Sequence, residues 1–209
     1  MPITALVSRE TAAQVEAIFG DRLPLIERYA QWLADQGVVR GLLGPREVDR
    51  IWDRHIINSA LVSEFIPPGA TVADLGSGAG LPGIPLALAR PDLSVTLVEP
   101  LLRRMTFLTE VLADLQSLAT EPLKVELVRG RAEELHGKAT FDVVTARALA
   151  PLDRLVGWAA PLLGSGGQLV ALKGSSAGEE IEQAASALAK AGLSARREVG
   201  ESITVVIAS

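Results

Sequence analysis

Three glycines stand at alternate positions after an apolar run in the sequence: Gly76, Gly78 and Gly80. The run ends in Asp74 and predicts a β-strand, and the apolar segment from Ile84 to Ala89 predicts a helix after the turn. Glycines in such a turn let a ligand lie close to the backbone, whose free N–H groups face polar or anionic atoms. We therefore predict that a bulky, flat ligand lies across this strand-to-helix turn.

The spacing of the glycines separates two classes of nucleotide ligand. The dinucleotide fingerprint Gly-x-Gly-x-x-Gly requires its third glycine at position 81, where this chain has Leu81. An acidic residue at the entrance of the turn, Asp74, is unfavourable beside a pyrophosphate and suits a ligand with an ammonium group. We predict that Asp74 and Ser77 join the three glycines in the binding site.

Two later segments supply candidate contacts to a nucleoside. Glu99 closes a second apolar run, and a carboxylate there can accept both hydroxyl protons of a ribose, although NAD satisfies that contact equally and a polar strand end is the alternative. After the third predicted strand, the backbone N–H of Ala132 and the side chain of Glu133 are candidates to read the edge of an adenine. The predicted ligand is adenosine with an amino-acid tail, which is S-adenosylmethionine.

Composition excludes several other kinds of site. The 209 residues include no cysteine and only two histidines, so disulfides and a cysteine nucleophile are excluded and no metal site is expected. No apolar run reaches the length of a signal peptide or the roughly 18 to 20 residues that span a bilayer, so we expect a cytoplasmic protein without a membrane partner. The net charge of −5 argues against binding nucleic acid through the overall field. Any RNA partner is therefore expected to meet a few placed arginines.

The remaining pattern predicts an α/β architecture. Residues 8–36 and 46–65 show helical periodicity, and a Pro-Pro-Gly break follows, so we predict a helical extension over residues 1–68 and a ligand-binding domain over 69–209, forming one compact unit. Apolar strands alternating with helices favour a parallel sheet covered on both faces, and a hairpin is predicted at the end. The predicted strands are 71–75, 94–99, 124–128, 141–145, 167–172, 195–199 and 203–208, and the helices between them are 83–90, 100–117, 151–163 and 178–191.

Four motifs resemble those of a known family: Asp74 to Pro85, Arg54-His55-Ile56, Thr145-Ala146-Arg147-Ala148 and Ala171-Leu172-Lys173-Gly174. They are similar to the bacterial 16S rRNA (guanine-N7) methyltransferases of the RsmG (GidB) family, and the resemblance runs from about residue 46 to the end. It implies a Rossmann-like, S-adenosylmethionine-dependent methyltransferase fold, with a seven-stranded, mostly parallel sheet, an antiparallel last strand and N-terminal helices. It also implies methylation of one guanine in 16S rRNA of the small ribosomal subunit.

The resemblance places the family's cofactor contacts on Gly76, Leu81, Ala132, Glu133 and Arg147. Guanine N7 carries a free lone pair at neutral pH, so in-line attack on the methyl group needs no general base and the site works by orientation. No catalytic residue is therefore assigned. Arg147, Lys173 and His55 are positioning candidates, and a purely structural role is the alternative for His55.

Arginines at regular spacing predict an RNA contact. Arg46, Arg50 and Arg54 follow one another at four-residue intervals and would share one face of an α-helix, where they could track phosphates. A salt-bridged surface with neighbouring aspartates is the alternative. Arg147 and Lys173 lie near predicted strand ends, where open α/β sheets bind ligands, and are further RNA candidates.

Two other functions fit the same motifs. The chain could methylate another RNA or a small molecule, or it could bind the cofactor without catalysis and act as a ribosome-assembly factor. A departure from the family pattern at Asn58, where an acidic residue is common, concerns the RNA side of the site. We expect a monomer.

Overall fold

Seven strands form one sheet in the computed structural model, which describes residues 7–200 and 202–209. The strand order is β3-β2-β1-β4-β5-β7-β6, and neighbouring strands are parallel except where β7 pairs with β5 and β6. This confirms the predicted mostly parallel sheet with an antiparallel last strand. The middle of the predicted terminal turn, Glu201, lies outside the described residues. The strands are β1 Thr71–Leu75, β2 Ser94–Val98, β3 Val125–Val128, β4 Phe141–Arg147, β5 Leu163–Lys173, β6 Ala195–Val199 and β7 Thr204–Ala208.

The strand order reverses beside β1, and this reversal determines where a ligand can bind. The chain runs outward from β1 through β2 to β3 and then returns to pair β4 with the other side of β1. The loops that leave the carboxyl ends of β1 and β4 therefore diverge and leave a crevice between them. Asp74 of β1 is paired with Leu97 of β2 and Thr145 of β4, so the predicted glycine turn opens into that crevice.

The helices are more interrupted than their periodicity predicts. The single helix predicted over 8–36 divides at Gly20, whose φ of 49° is left-handed, and the one predicted over 178–191 divides at Ala184. Residues 45–65 are helical but mostly not α-helical: the first turn, Pro45–Arg50, is a 3-10 turn and Ile51–Ile57 is π-helical. The α-helices are α1 Arg9–Phe19, α2 Leu23–Trp32, α3 Asn58–Ala60, α4 Gly83–Ala89, α5 Leu102–Leu118, α6 Leu152–Ala159, α7 Ala177–Gln183 and α8 Ala185–Ala191. Between them lie a π-helical turn Leu33–Gly37, a 3-10 turn Pro45–Arg50, a π-helical segment Ile51–Ile57 and 3-10 turns Gly20–Arg22, Leu61–Phe65, Ala132–Leu135 and Ala160–Leu162.

Strand β5 begins earlier than the sequence predicts. The segment around Gly164 and Gly167 is typical of a turn, yet it pairs with the start of β4 as an extension of β5. A Cβ on Gly167 would lie 3.0 Å from the carbonyl oxygens of Gly164 and Phe141, so the close approach of these backbones requires glycine. The predicted end of the helix at residue 163 was wrong for the same reason.

Two apolar cores lie on opposite faces of the sheet. Alternating residues of β1 divide between them: Val72 packs toward the N-terminal helices, α4 and α5, whereas Ala73 packs toward α6, α7 and α8. An ion pair of 2.5 Å between Arg28 and Asp114 joins α2 to α5 over the first core, and the indole of Trp32 donates to the same carboxylate. The extension thus shares its core with the sheet, and a domain boundary at residue 68 stays a prediction. None of the helices in the described part of the chain has the length and apolar character needed to cross a membrane.

The first residue of α4 is predicted to tolerate no side chain. A Cβ on Gly83 would lie 2.2 Å from Leu97 Cδ2 and 2.8 Å from Asp74 Oδ2, so Gly83→Ala should lower the free energy of unfolding by about 1 to 3 kcal/mol. In the matched control, Gly157→Ala in α6, the new methyl group meets nothing within 4 Å and better helix propensity should raise stability by up to about 1 kcal/mol. Urea unfolding measures both, and equal effects of the two substitutions would contradict the packing argument.

Candidate cofactor site and adjoining cavity

The glycine turn after β1 is built from left-handed residues and packed side chains. Gly76, Gly78 and Gly80 have φ angles of 67°, 60° and 96°, a region that other L-residues rarely adopt. A Cβ on Gly76 would lie 2.4 Å from Leu149 Cδ1, and one on Gly80 would lie 2.5 Å from Ile84 Cδ1. The alternate spacing of the glycines therefore has a conformational and a packing cause.

The expectation that the turn presents free backbone donors was wrong. The N–H groups of Gly76 and Ser77 both donate to the carbonyl of Val98, that of Gly80 donates to Ser77, and that of Gly78 donates to Glu99. Three of these four N–H groups tie the turn to Val98 and Glu99 at the end of β2, and that of Gly80 closes the turn on itself. The turn can offer a ligand close approach, not a cluster of unpaired N–H groups.

Asp74 lies beneath the turn with no solvent-exposed surface. Its Oδ2 accepts the N–H of Gly83 at 3.1 Å, and within the described part of the chain its Oδ1 has no hydrogen-bond partner. Burial raises the pKa of Asp74 from 3.8 to about 7, and the Gly83 N–H opposes that shift. The hydroxyl of Ser77 donates to the Asp74 carbonyl, so it also points inward. In this structure both side chains support the turn from below.

Glu99 is also buried, and its carboxylate joins three elements of the site. Oε2 accepts the Gly78 N–H at 3.0 Å and lies 3.5 Å from a guanidinium nitrogen of Arg104, while Oε1 accepts the N–H of Leu101 at 2.9 Å. A carboxylate has about four acceptor positions, of which three are occupied here. One position remains for a ribose hydroxyl, where the sequence predicted two contacts.

A cavity of about 150 Å³ lies between the turn and the 3-10 turn after β3. Of the predicted cofactor residues, Gly76, Ala132 and Glu133 line it. Arg147 lines a different, larger cavity, and the others form the glycine turn or lie below or beside it. Five apolar wall residues were not among the predicted contacts: Leu75, Val98, Pro100, Leu149 and Trp158. The first three carried a signal, since each is next to a predicted contact in the sequence, whereas Leu149 and Trp158 are not. A narrow, largely apolar slot of this kind suits a flat ring.

A second cavity, of about 660 Å³, adjoins the first. Leu149 lines both cavities and is the one residue common to their linings. Leu149 follows Ala148, which has a left-handed φ of 50° although it is not a glycine. A left-handed backbone conformation costs energy in a residue with a Cβ and often marks a functional segment. The polar residues of the larger cavity are Arg54, Asn58, Arg147, Lys173, Glu180 and Gln183.

The positioning candidates Arg147 and Lys173 both belong to this larger cavity, but their surroundings differ. Lys173 Nζ donates to Glu180 Oε2 at 2.6 Å and to the carbonyl of Ala150 at 2.8 Å, so its charge is compensated. Arg147 contacts the neutral groups of His55 and Ser59 instead, and burial lowers its pKa. Glu180, which the sequence analysis missed, holds Lys173 and accepts the Leu152 N–H.

Comparison with known proteins identifies the family of this chain. Residues 22–200 match the GidB family, described as rRNA small subunit methyltransferase G. The chain belongs to this family. A relative from Thermobifida fusca (strain YX), named ribosomal RNA small subunit methyltransferase G, is 59% identical over 173 residues, which are 83% of this chain and 71% of the relative. A relative of the same name from Nocardioides sp. (strain ATCC BAA-499 / JS614) is 58% identical over 190 residues, covering 89% and 74%. The predicted family is confirmed.

Solved structures agree with this GidB-family chain in fold. A putative S-adenosyl-L-methionine-dependent methyltransferase from Methanococcus maripaludis has a TM-score of 0.59 at 17% identity, covering 78% of this chain and 90% of that one. A TehB-like SAM-dependent methyltransferase from Corynebacterium glutamicum has a TM-score of 0.56 at 17% identity, covering 84% and 96%. The predicted methyltransferase fold is therefore confirmed.

The arginine series of the GidB-family chain does not share one α-helical face. Arg46 and Arg50 lie on a 3-10 turn and Arg54 on a π-helical segment, so the four-residue spacing does not align them as predicted. Arg54 lines the larger cavity and lies 3.4 Å from Glu47, whereas Arg46 and Arg50 are exposed and form no ion pair within residues 7–200 and 202–209. The predicted pairing with aspartates is also not seen, and Asp53 accepts a hydrogen bond from Thr11.

Asp74 should make stability depend on pH in the unusual direction for a carboxylate. Its pKa is about 7 in the folded protein, so between about pH 4 and pH 7 the folded state keeps a proton that the unfolded chain has lost, and stability falls as pH rises. Asp74→Asn keeps an acceptor for Gly83 and does not ionise. Relative to the original protein it should gain about 2 to 3 kcal/mol between pH 5 and pH 8.

Urea unfolding at both pH values measures this difference. The control is Asp142→Asn: hydrogen bonds from Thr71 lower the pKa of Asp142, so it stays ionised over the whole range and its substitution adds no slope. An Asp74→Asn difference that is the same at pH 5 and pH 8 would contradict the assignment.

Proposed function

We propose that this chain transfers the methyl group of S-adenosylmethionine to N7 of a guanine in 16S rRNA of the small ribosomal subunit. The observation that carries the proposal is the pair of cavities that share Leu149 at the carboxyl ends of β1 and β4. One is narrow and largely apolar, and the other is larger and lined by cationic residues. A methyl donor in the first and a base in the second would be neighbours. Family membership supports the same activity.

The chain's residues fit the proposed cofactor. Gly76 lets a nucleoside approach the backbone, Ala132 and Glu133 lie where an adenine edge would be read, and the free acceptor position of Glu99 suits one ribose hydroxyl. We propose that the remaining predicted cofactor residues act mainly by shaping the turn from below or beside it. These residues are Asp74, Ser77, Gly78, Gly80 and Leu81; Arg147, the other predicted cofactor contact, lines the larger cavity.

The charges of the larger cavity suit attack by a neutral base. Bound S-adenosylmethionine supplies an electrophilic methyl group, and the N7 lone pair bonds to its carbon as the carbon–sulfur bond breaks. Because N7 has no proton to lose, no general base is needed and catalysis comes from orientation. The guanine becomes cationic, and a neighbouring free cation would oppose that. Lys173 and Arg54 are each paired with a carboxylate, Glu180 and Glu47, which reduces the opposition. Arg147 has no carboxylate partner in the described part of the chain, and we propose that a phosphate of the RNA compensates its charge.

The setting of the reaction follows from the substrate. A small-subunit rRNA substrate would place the chain in the bacterial cytoplasm, and we propose that it acts there as a monomer without a metal ion. Arg46, Arg50, Arg54 and Arg147 are the proposed RNA contacts. For Lys173 and His55 we propose positioning roles, because Lys173 holds the Ala150 carbonyl and His55 holds Arg147.

Methyl transfer to isolated small subunits tests the function directly. Subunits from cells that lack their own N7 mark are incubated with methyl-labelled cofactor, and the labelled nucleotide is mapped by cleavage at 7-methylguanosine. We expect label at N7 of one guanine. Turnover of the cofactor without labelling of the RNA would favour a small-molecule substrate. Binding of the cofactor without any turnover would favour an assembly factor. Either result would overturn the proposal.

Arg46 and Arg50 should contribute salt-sensitive affinity for the small subunit. Replacing both with Gln removes two exposed cations, so the dissociation constant for the subunit should rise. If both arginines contact single-stranded phosphates, the negative slope of log affinity against log salt concentration should become shallower by about 1.4. The matched control is Lys124→Gln, since Lys124 is exposed and precedes β3 at the opposite edge of the sheet. A slope unchanged in the double variant, or equally changed in the control, would exclude these arginines from the RNA contact.

A further inference from the structure

Three side chains from the N-terminal segment and β4 form a hydrogen-bonded row beside the larger cavity. Arg147 Nη2 lies 2.8 Å from Nδ1 of His55, and Nε2 of the same ring lies 2.8 Å from Oε2 of Glu47. Arg147 Nη1 also donates to the His55 carbonyl at 3.2 Å and to the Ser59 hydroxyl at 3.1 Å. The row joins the 3-10 turn Pro45–Arg50 to the end of β4.

The chemistry of the row specifies the state of the histidine. A guanidinium group can only donate, so Nδ1 of His55 accepts and the ring proton is on Nε2, which donates to Glu47. A second ring proton would place an N–H against the donor of Arg147. The charged groups that face the ring are Glu47, Arg54 and Arg147, and burial together with the two arginines lowers the pKa of His55. The neutral tautomer is the one that the surroundings stabilise.

The N–H donors of the Arg147 guanidinium lie along two edges: one edge is hydrogen-bonded to His55, and the other, which we call the free edge, has no partner in the described part of the chain. At the end of the guanidinium, Nη1 donates to the His55 carbonyl and Nη2 donates to Nδ1 of the His55 ring. Within the described part of the chain, Nε–H and the second N–H of Nη2 make no hydrogen bond. These two parallel donors form the side edge of the fork, which fits two oxygens of a phosphate group.

We propose that Glu47 and His55 are positioning residues that hold Arg147 so that its free edge binds a backbone phosphate of the RNA substrate in the larger cavity. The inference rests on the proposed function for the identity of the substrate. Arg147 makes the phosphate contact, neutral His55 fixes the plane of its guanidinium, and Glu47 fixes the tautomer and the plane of the imidazole.

Two substitutions of His55 separate orientation from packing. Asn places an amide oxygen near the position of Nδ1 and keeps an acceptor for Arg147, whereas Gln places its amide near Nε2 and keeps only the contact to Glu47. The measured quantity is the dissociation constant for small subunits, with thermal melting as a folding control. We expect a rise of roughly tenfold for His55→Gln and substantially less for His55→Asn. Equal dissociation constants in the two variants would overturn the proposal.

Glu47 provides a second test that does not disturb the buried ring directly. Glu47→Ala should weaken subunit binding several-fold, because the imidazole loses the acceptor that orients it. The matched control is Glu110→Ala, which removes an equally acidic partner from the Arg40 ion pair on α5 and should leave binding unchanged. Unchanged binding in Glu47→Ala, or equal loss in the control, would remove Glu47 from the row.

The pH dependence of subunit binding tests the neutral state of His55. Below the lowered pKa of His55 the ring gains a proton, so binding should weaken in acid more than it does in His55→Asn. His136→Asn, which changes the chain's other histidine, should retain the acid-dependent loss. An acid-dependent loss that is equally large in His55→Asn would overturn the proposal. All these measurements are of binding, so absence of methyl transfer by the original protein would refute the proposed function without deciding this inference.

Discussion

The buried contact between the Asp74 carboxyl group and the N–H of Gly83 is the constraint on which the rest of the site depends. It holds the start of α4 against the end of β1. The contact requires a glycine at position 83, because the side chains of Leu97 and Asp74 occupy the space that a Cβ would need. The N–H groups of Gly76 and Ser77 then close on the Val98 carbonyl, which ties the turn to β2. The cofactor crevice is therefore a product of close packing beneath it.

The larger cavity depends on a second set of contacts, centred on Lys173. Its ammonium group links the end of β5 to the Ala150 carbonyl and to Glu180 of α7, and Glu180 in turn accepts the Leu152 N–H. These bonds hold the loop that presents Leu149 between the two cavities. The net charge of −5 gives an overall field that repels phosphates, so the RNA recognition that we propose depends on a few oriented donors.

The N-terminal segment is part of the site rather than an attachment to it. The hydroxyl of Tyr29, a fully buried residue of α2, donates to the Ala79 carbonyl in the glycine turn at 2.8 Å. Asn58 lines the larger cavity from the irregular helical stretch that follows residue 45, and His55 of the same stretch contacts Arg147, which also lines it. The departure of that stretch from α-helical geometry is consistent with the frequent occurrence of π-helical turns at functional sites.

Local pattern determined the alternation of strands and helices, the terminal hairpin and the glycine turn, because each depends on residues that are close in the chain. Motif resemblance, rather than physics, determined the family. Only the tertiary structure decided that Asp74 is buried, that the N–H groups of Gly76, Ser77, Gly78 and Gly80 are paired and that Leu149 lines two cavities. It also joined Arg147 to His55, 92 residues away, and placed Glu47 behind the ring. Such contacts are set by how the sheet and the N-terminal segment pack, and no local spacing encodes them.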